Sequence, residues 1–360
     1  MKKLLLGNEA IVMGALESGV QFVSTYPGTP ASEIGDSFAK IAQKNKIIFE
    51  YSINEKVALE ACAGAAFSGL KTLVAMKSFG LNVASDFLMP LMYTGIQGAL
   101  VLVVADDPGC SSSAQSEQDS RAYSYLTHIP TLEPADPQEC KDFTKLAFEI
   151  SEKYKIPVMI RTTTRVALQS APVSLEKIEE TQKKAKFIKA FNKFVTMPPR
   201  VLEMKKELLK KITKIKTEIS EKSELNKIYS GESKLGIITS GISFLYVQEA
   251  LQELKLDLPV LKLGFFYPLP ENKIKNFIKN LDKVLIIEEL EPWLEKAIKS
   301  KKIIGKKLIP RIDELRPEIV VQAIAKFTDT KYKIPNTKKS SAILPWLSLL
   351  VNFSGSKKRN

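Results

Sequence analysis

Strand-like and helix-like segments take turns along this chain, and that alternation restricts the fold more than any other feature. Runs of β-branched and aliphatic residues at 21–25, 47–51, 72–76, 100–105 and 157–161 are separated by stretches at helical spacing at 31–43, 56–70, 83–94 and 137–154. Such alternation requires crossover connections, which build a parallel sheet with helices on both faces. A second set follows at 235–239, 243–254, 259–266, 271–280 and 284–288. The expected fold class is therefore α/β, with two doubly wound parallel-sheet domains. The expected divisions are a first domain at 1–174, a basic helical linker at 175–230, a second domain at 231–325 and a basic, flexible tail at 326–360. A chain of 360 residues, 44% hydrophobic, is long enough for two cores. After Pro199, the positions Leu202, Leu208, Leu209, Ile212, Ile215 and Ile219 suit an amphipathic helix laid across a neighbouring domain.

The formal charge of +13 is unevenly placed. Residues 182–216 hold twelve Lys or Arg against two Glu, and 326–360 hold eight against one, so the rest of the chain is slightly acidic. A solvated helix face explains the basic linker, and nucleic-acid binding is not expected, because aromatic interleaving is limited to Phe187, Phe191 and Phe194. Cys62, Cys110 and Cys140 form no CxxC pair, which argues for a reduced, cytoplasmic protein without a local iron–sulfur or zinc site. The N-terminal apolar run ends at Gly7-Asn8-Glu9, too early for a signal peptide. No run approaches the roughly 20 residues of a membrane span, and the apolar stretch 342–353 reads as a docking segment.

In an open parallel sheet, ligands gather beyond the carboxyl ends of the strands. Tyr26-Pro27-Gly28 would follow the first strand, with Thr29 as helix N-cap and Pro30 in the first turn, leaving free N–H groups for a carboxylate. Asn54-Glu55 stands where the second strand meets a helix dense in Ala58, Ala61, Ala63, Gly64, Ala65 and Ala66. Glu55 reads either as a helix-start acid favoured by the macrodipole or as a carboxylate held in a crowded, poorly solvated niche. The loops Ser78-Phe79-Gly80 and Asp106-Asp107-Pro108-Gly109, with the polar segment from Ser116 to Arg121, would reach the same rim. Phe79 reads equally as a core aromatic. His128 is the only histidine, so a two-histidine metal site is excluded, and beside Pro130 it reads as a packing group. A generic nucleotide-binding α/β protein is disfavoured, since neither GxGxxG nor a P-loop is present.

The motifs YPGTP, NEKVALE with its AGAA helix, MKSFGLNVASD, ADDPG and SEQDSR, in this order, resemble the alpha subunit of the indolepyruvate:ferredoxin oxidoreductases. These are thiamine-diphosphate-dependent 2-oxoacid oxidoreductases. The likeness runs over about 5–165 and resumes over about 235–323, where VLIIEELEPWLE from Val284 resembles a transketolase C-terminal-type domain. It implies a pyrimidine-binding-type domain at 1–174 and a transketolase C-terminal-like domain at 231–325. It implies Glu55 as the catalytic group, exchanging a proton with the aminopyrimidine ring so that the thiazolium carbon is activated. By the same resemblance, Pro27, Thr29, Glu55, Phe79, Gly80 and Asn82 contact the cofactor, and Tyr26, Gly28, Thr29, Asp107 and Arg121 contact substrate. Pyruvate-specific relatives place an arginine where Asp107 stands, which points to an aryl 2-oxoacid.

A GDG motif with a downstream Asn, and any cysteine beyond Cys140, are missing from this sequence. The resemblance therefore implies thiamine diphosphate shared with a separate partner chain, and Mg²⁺ and [4Fe-4S] clusters on that partner only. A gamma/beta-type oxidoreductase subunit, ferredoxin, a 2-oxoacid and coenzyme A complete the expected partners. Alone, the chain is expected to bind the cofactor poorly and to pass no electrons to ferredoxin. The alternative reading is a non-catalytic assembly or regulatory relict of such an enzyme.

Overall fold

The computed structural model describes residues 1–112, 116–178 and 184–332. In chain order the first strands are β1 (Lys2–Leu6), β2 (Phe22–Thr25), β3 (Ile48–Tyr51), β4 (Lys71–Lys77), β5 (Ala99–Asp106), β6 (Thr131–Leu132), β7 (Val158–Thr163) and β8 (Ser170–Ser174). The five expected strands are present as β2, β3, β4, β5 and β7, within two residues at each end. They pair in parallel in the order β7-β5-β4-β2-β3. Strand β5 reads ALVLVVAD and is buried along its whole length, as a central strand covered on both faces must be. Because the chain runs from β2 outward to β3 and then back across β2 to β4, the strand order reverses at β2. That reversal is the switch point at which open sheets leave a crevice beyond the strand ends.

The later strands are β9 (Lys227–Tyr229), β10 (Leu235–Ser240), β11 (Val260–Leu263), β12 (Phe265–Tyr267), β13 (Lys283–Ile287) and β14 (Ile303–Ile304). Five of them form a second sheet in the order β14-β13-β10-β11-β9, parallel except for the edge strand β9. The architecture is α/β with two mainly parallel sheets. Contacts do not part the chain near 174 or 231; Met1–Thr330 packs as one unit, and the remainder, Lys331–Asn360, is described only at its first two residues. The expected docking segment 342–353 and nearly all of the expected tail lie outside the described residues, although helix Pro317–Phe327 occupies the start of the latter.

Two sequence expectations are corrected here. The single strand expected at 259–266 is two strands, for the chain breaks at Gly264 and β12 crosses to pair antiparallel with β6 in the first sheet. The Asn226 amide oxygen accepts the backbone N–H groups of both Gly264 and Phe265 at 3.0 Å, and a Cβ at Gly264 would stand 2.8 Å from the Leu225 Cβ. The basic linker does carry a long helix, Arg200–Ile215, but its buried face is Met204, Leu208, Ile212 and Ile215. Leu202 and Leu209 face solvent, because the buried stripe recurs every four, four and three residues and leaves both outside it. Among the described residues, no helix is long and apolar enough to cross a membrane.

Candidate active site at the strand-order reversal

Glu55 opens helix Glu55–Phe67, immediately after the N-cap Asn54, whose side chain accepts the Val57 N–H at 2.9 Å. Such a cap contributes about 1 kcal/mol and sets the angle at which the helix leaves β3. The helix buries Ala58, Leu59, Cys62, Ala63 and Ala66 and packs closely on helix Ser78–Thr94. Glu55 is thereby held at 7% exposure, and its carboxylate has no hydrogen bond or ion pair to a described residue. Its side chain lies against Gly80: a Cβ there would stand 2.4 Å from the Glu55 Cγ and 2.6 Å from its Oε1. Only glycine leaves room for this carboxyl group. The residue is buried while its carboxylate has no protein partner, which leaves the group available to a ligand.

The Tyr26 turn stands beside it, at the end of β2. Tyr26, Pro27 and Thr29 are exposed, and the Gly28 carbonyl accepts the Ala31 N–H at 2.8 Å. Thr29 is not an N-cap: the following helix is Ser32–Ile41, capped by the backbone of Ala31, and Thr29-Pro30 is a cis peptide in the turn before it. What holds the turn is the fully buried Asn8, whose amide donates to the Pro30 carbonyl at 2.8 Å and to the Glu33 carboxylate at 2.9 Å. Lys77, the last residue of β4, lays its stem across Gly28, where a Cβ would stand 3.0 Å from the Lys77 Cγ. Its ammonium sits 5.1 Å from the Phe79 ring centroid.

Ser78-Phe79-Gly80 is not a loop but the first turn of helix Ser78–Thr94. Asn82, one turn in, donates to Gln118 Oε1 at 2.7 Å and accepts the Tyr123 hydroxyl at 2.7 Å, while Gln118 donates to the Ser78 carbonyl at 2.8 Å. The segment expected at the rim thus reaches it through Gln118, and Asn82 braces the turn that carries Phe79 and Gly80. Asn8 and Tyr123 escaped the sequence reading, and Lys77 and Gln118 entered it only inside longer motifs. For Lys77 a signal existed, its position at a strand end; for Asn8 none did.

Asp107 and Arg121 do not offer their charges to a ligand, which corrects two expected substrate contacts. Asp107 is 4% exposed and accepts from Ser112 N at 2.8 Å, Ser112 Oγ at 2.6 Å, Thr164 Oγ1 at 2.6 Å and Ser111 Oγ at 3.1 Å. Burial raises its pKa, but these bonds outweigh burial and hold it below the usual value. The Ser112 hydroxyl also lies 3.1 Å from the Thr29 carbonyl, so Asp107 steadies the Tyr26 turn from behind. Arg121 is 1% exposed and paired with Asp119 at 2.7 and 2.8 Å, with Glu288 at 3.1 Å and with the Glu289 carbonyl at 2.6 Å. It is a tie to the second sheet. His128 packs its Nδ1 2.7 Å from the Tyr267 hydroxyl, and Cys62 is fully buried with its thiol pushed up by burial. Among the described residues, no group of three His, Cys, Asp or Glu side chains is placed to hold a metal ion.

Residues 13–229 match the family model "Pyruvate flavodoxin/ferredoxin oxidoreductase, thiamine diP-bdg", and residues 226–314 match "Indolepyruvate oxidoreductase domain". Indolepyruvate oxidoreductase subunit IorA of Methanothermobacter marburgensis is 46% identical over 341 residues, covering 91% of this chain and 54% of that one. The same subunit of Thermococcus kodakarensis is 43% identical over 339 residues, covering 90% and 52%. The chain spans about half the length of these relatives. A solved 2-oxoglutarate:ferredoxin oxidoreductase from Magnetococcus marinus shares the fold with a TM-score of 0.74 at 18% identity, over 90% of this chain and 65% of that one. A split-gene transketolase, as an inactive beta4 tetramer, does so at 0.56 and 14%, over 91% and 97%. The crevice at the strand reversal is thus built by a chain that belongs to the thiamine-diphosphate-binding family of pyruvate flavodoxin/ferredoxin oxidoreductases.

Proposed function

We propose that this chain is the pyrimidine-side part of a thiamine-diphosphate-dependent 2-oxoacid:ferredoxin oxidoreductase. In this reading it acts on indolepyruvate or another aryl pyruvate, yielding carbon dioxide and the acyl-coenzyme A while ferredoxin takes the electrons. One observation carries the reading: Glu55 is buried and unpartnered against Gly80, at the strand reversal. A carboxyl group so placed fits the ring nitrogen of an aminopyrimidine, and the glycine at position 80 lets it lie close against the helix start. Phe79, next to Gly80, and the turn of Pro27, Gly28 and Thr29 are joined through Lys77, whose stem lies on Gly28 and whose ammonium lies over the Phe79 ring. When bound, thiamine diphosphate supplies a carbon nucleophile for the 2-oxo group. Glu55 holds and returns the proton that keeps the ring in its reactive form. Gly80 keeps that carboxyl in place, and Asp107 with Asn8 keeps the turn in place. The names of the relatives support indolepyruvate as the substrate. In this reading the diphosphate with its Mg²⁺, and the iron–sulfur clusters, are held outside the described residues.

The test is coenzyme-A-dependent dye reduction by the chain assembled with its partner. Glu55→Gln is expected to lower kcat at least a hundredfold, the range of a lost acid–base group. Full activity in that variant would refute the role of Glu55.

A further inference from the structure

We propose that Lys77 binds the carboxylate of the 2-oxoacid, an inference that rests on the function proposed above. A 2-oxoacid carries a full negative charge, and a pocket that admits it from water needs a cation to replace its hydration. The basic groups around this rim are otherwise engaged. Lys56 pairs with Asp86 at 2.6 Å, Arg121 with Asp119 and Glu288, Arg161 with Asp106 at 2.8 Å, and Arg165 with Glu314 at 2.6 Å. The Lys77 ammonium has no hydrogen bond or ion pair to a described residue.

Its position is fixed without its charge being neutralised. The stem lies on Gly28, in the turn that ends β2, and the ammonium lies over the face of Phe79. A ring face attracts a cation but leaves its N–H groups free to donate. Lys77 also stands three residues before Gly80, so one turn of helix separates this cation from the glycine that cradles Glu55. Carboxylate binding and proton exchange are thereby set on opposite ends of a single rigid turn, and Phe79 between them offers an aromatic surface.

A lone ammonium suits the reaction better than a bidentate guanidinium. The carboxylate must leave as neutral carbon dioxide, and a strong ion pair with the ground state would oppose its departure. A weaker contact holds the substrate and then releases it. The effect of removing Lys77 should therefore fall on KM and leave kcat nearly unchanged.

Three measurements on the chain assembled with its partner decide the matter. In coenzyme-A-dependent dye reduction, Lys77→Met, which keeps the stem, is expected to raise KM for the 2-oxoacid about ten- to a hundredfold, the loss typical of a hydrogen bond to a charged group. Lys77→Arg is expected to restore most of it. Proton exchange at the thiazolium carbon of bound thiamine diphosphate, followed by NMR, is expected to be the same in Lys77→Met and wild type, because it uses Glu55 and needs no substrate. Acylation of Lys77 by an amine reagent, read by mass spectrometry, is expected to slow when the 2-oxoacid is saturating. An unchanged KM in Lys77→Met, or acylation indifferent to the 2-oxoacid, overturns the assignment. Absence of exchange in the wild type instead overturns the thiamine reading, and the acylation measurement still decides whether Lys77 meets the carboxylate.

Discussion

The guanidinium of Arg121, from the segment after β5, donates to the carboxylate of Glu288 at the end of β13 across 3.1 Å. Around that bond lie Asp106, Glu133, Arg161 and Glu289, all at most 4% exposed, and Asp119, whose side chain is 4% exposed. Arg161 reaches Asp106 at 2.8 Å and Glu133 at 3.4 Å, and the Glu288 carboxylate also accepts the N–H groups of Leu294 and Glu295 at 3.0 and 3.1 Å. Five buried carboxylates thus share two guanidiniums between the sheets. Together with the β12–β6 pairing, this cluster ties the two sheets to each other.

Removing the central cation leaves Asp119, Glu133 and Glu288 facing one another in a poorly solvated place. Arg121→Met is therefore expected to cost about 3–5 kcal/mol, the usual penalty for breaking a buried charge pair from one side. For a chain of this size that corresponds to roughly 5 °C in melting temperature. Calorimetry checks it, and a melting temperature within two or so degrees of wild type would show that the cluster does not hold the sheets together.

Acidity should act on the same cluster with a definite sign. Burial raises Glu289 from 4.5 to about 7 and Glu288 to about 6, against the pull of Arg161 and Arg121 respectively. Both carboxyls bind a proton more tightly in the folded state. Their contribution is therefore fully present below the unfolded value of 4.5 and is lost as pH rises through 6 to 7. For Glu289 the difference is on the order of 3 kcal/mol. His128, whose imidazole is pushed down by burial and by Lys205, acts in the opposite direction. The quantity to read is thus the difference between wild type and Glu289→Gln. Melting curves from pH 8 to 5 are expected to show wild type gaining on the variant as pH falls, and parallel curves would contradict the assignment.

Much of the sheet was legible because its strands are local signals: β2, β4, β5 and β7 are compact β-branched runs. Glu55 was legible for a similar reason, since Asn54 announces the helix start and the alanines announce close packing. The errors lie where a distant residue decides. Gly80 suggested a loop, although its lack of a side chain serves Glu55, and the helix runs through it. Thr29-Pro30 has the composition of a helix cap, yet Asn8, on another helix, sets the turn. The polar run ending at Arg121 looked like a rim because its partner, Glu288, is 167 residues away. Lys77 was not legible as a site residue, because nothing local in the sequence shows that a lysine lacks a counter-charge.

The glycine at position 80 gives a sharp test of the site that is separate from charge. Alanine in the first turn of a helix is ordinarily favourable relative to glycine by roughly 0.5–1 kcal/mol, so Gly80→Ala carries no intrinsic penalty for the helix. The added methyl would nevertheless meet the Glu55 side chain at 2.4 to 2.8 Å, far inside contact distance. Glu55 can yield only by turning its carboxyl away from the crevice, because the helix behind it is packed on alanines that leave no slack. The expected outcome is a protein that melts within a few degrees of wild type but exchanges the thiazolium proton of its bound cofactor at least a hundredfold more slowly. NMR exchange and calorimetry on the same sample check it. Unimpaired exchange in Gly80→Ala would mean that the carboxyl works from another position, and the geometry proposed for the site would have to be abandoned.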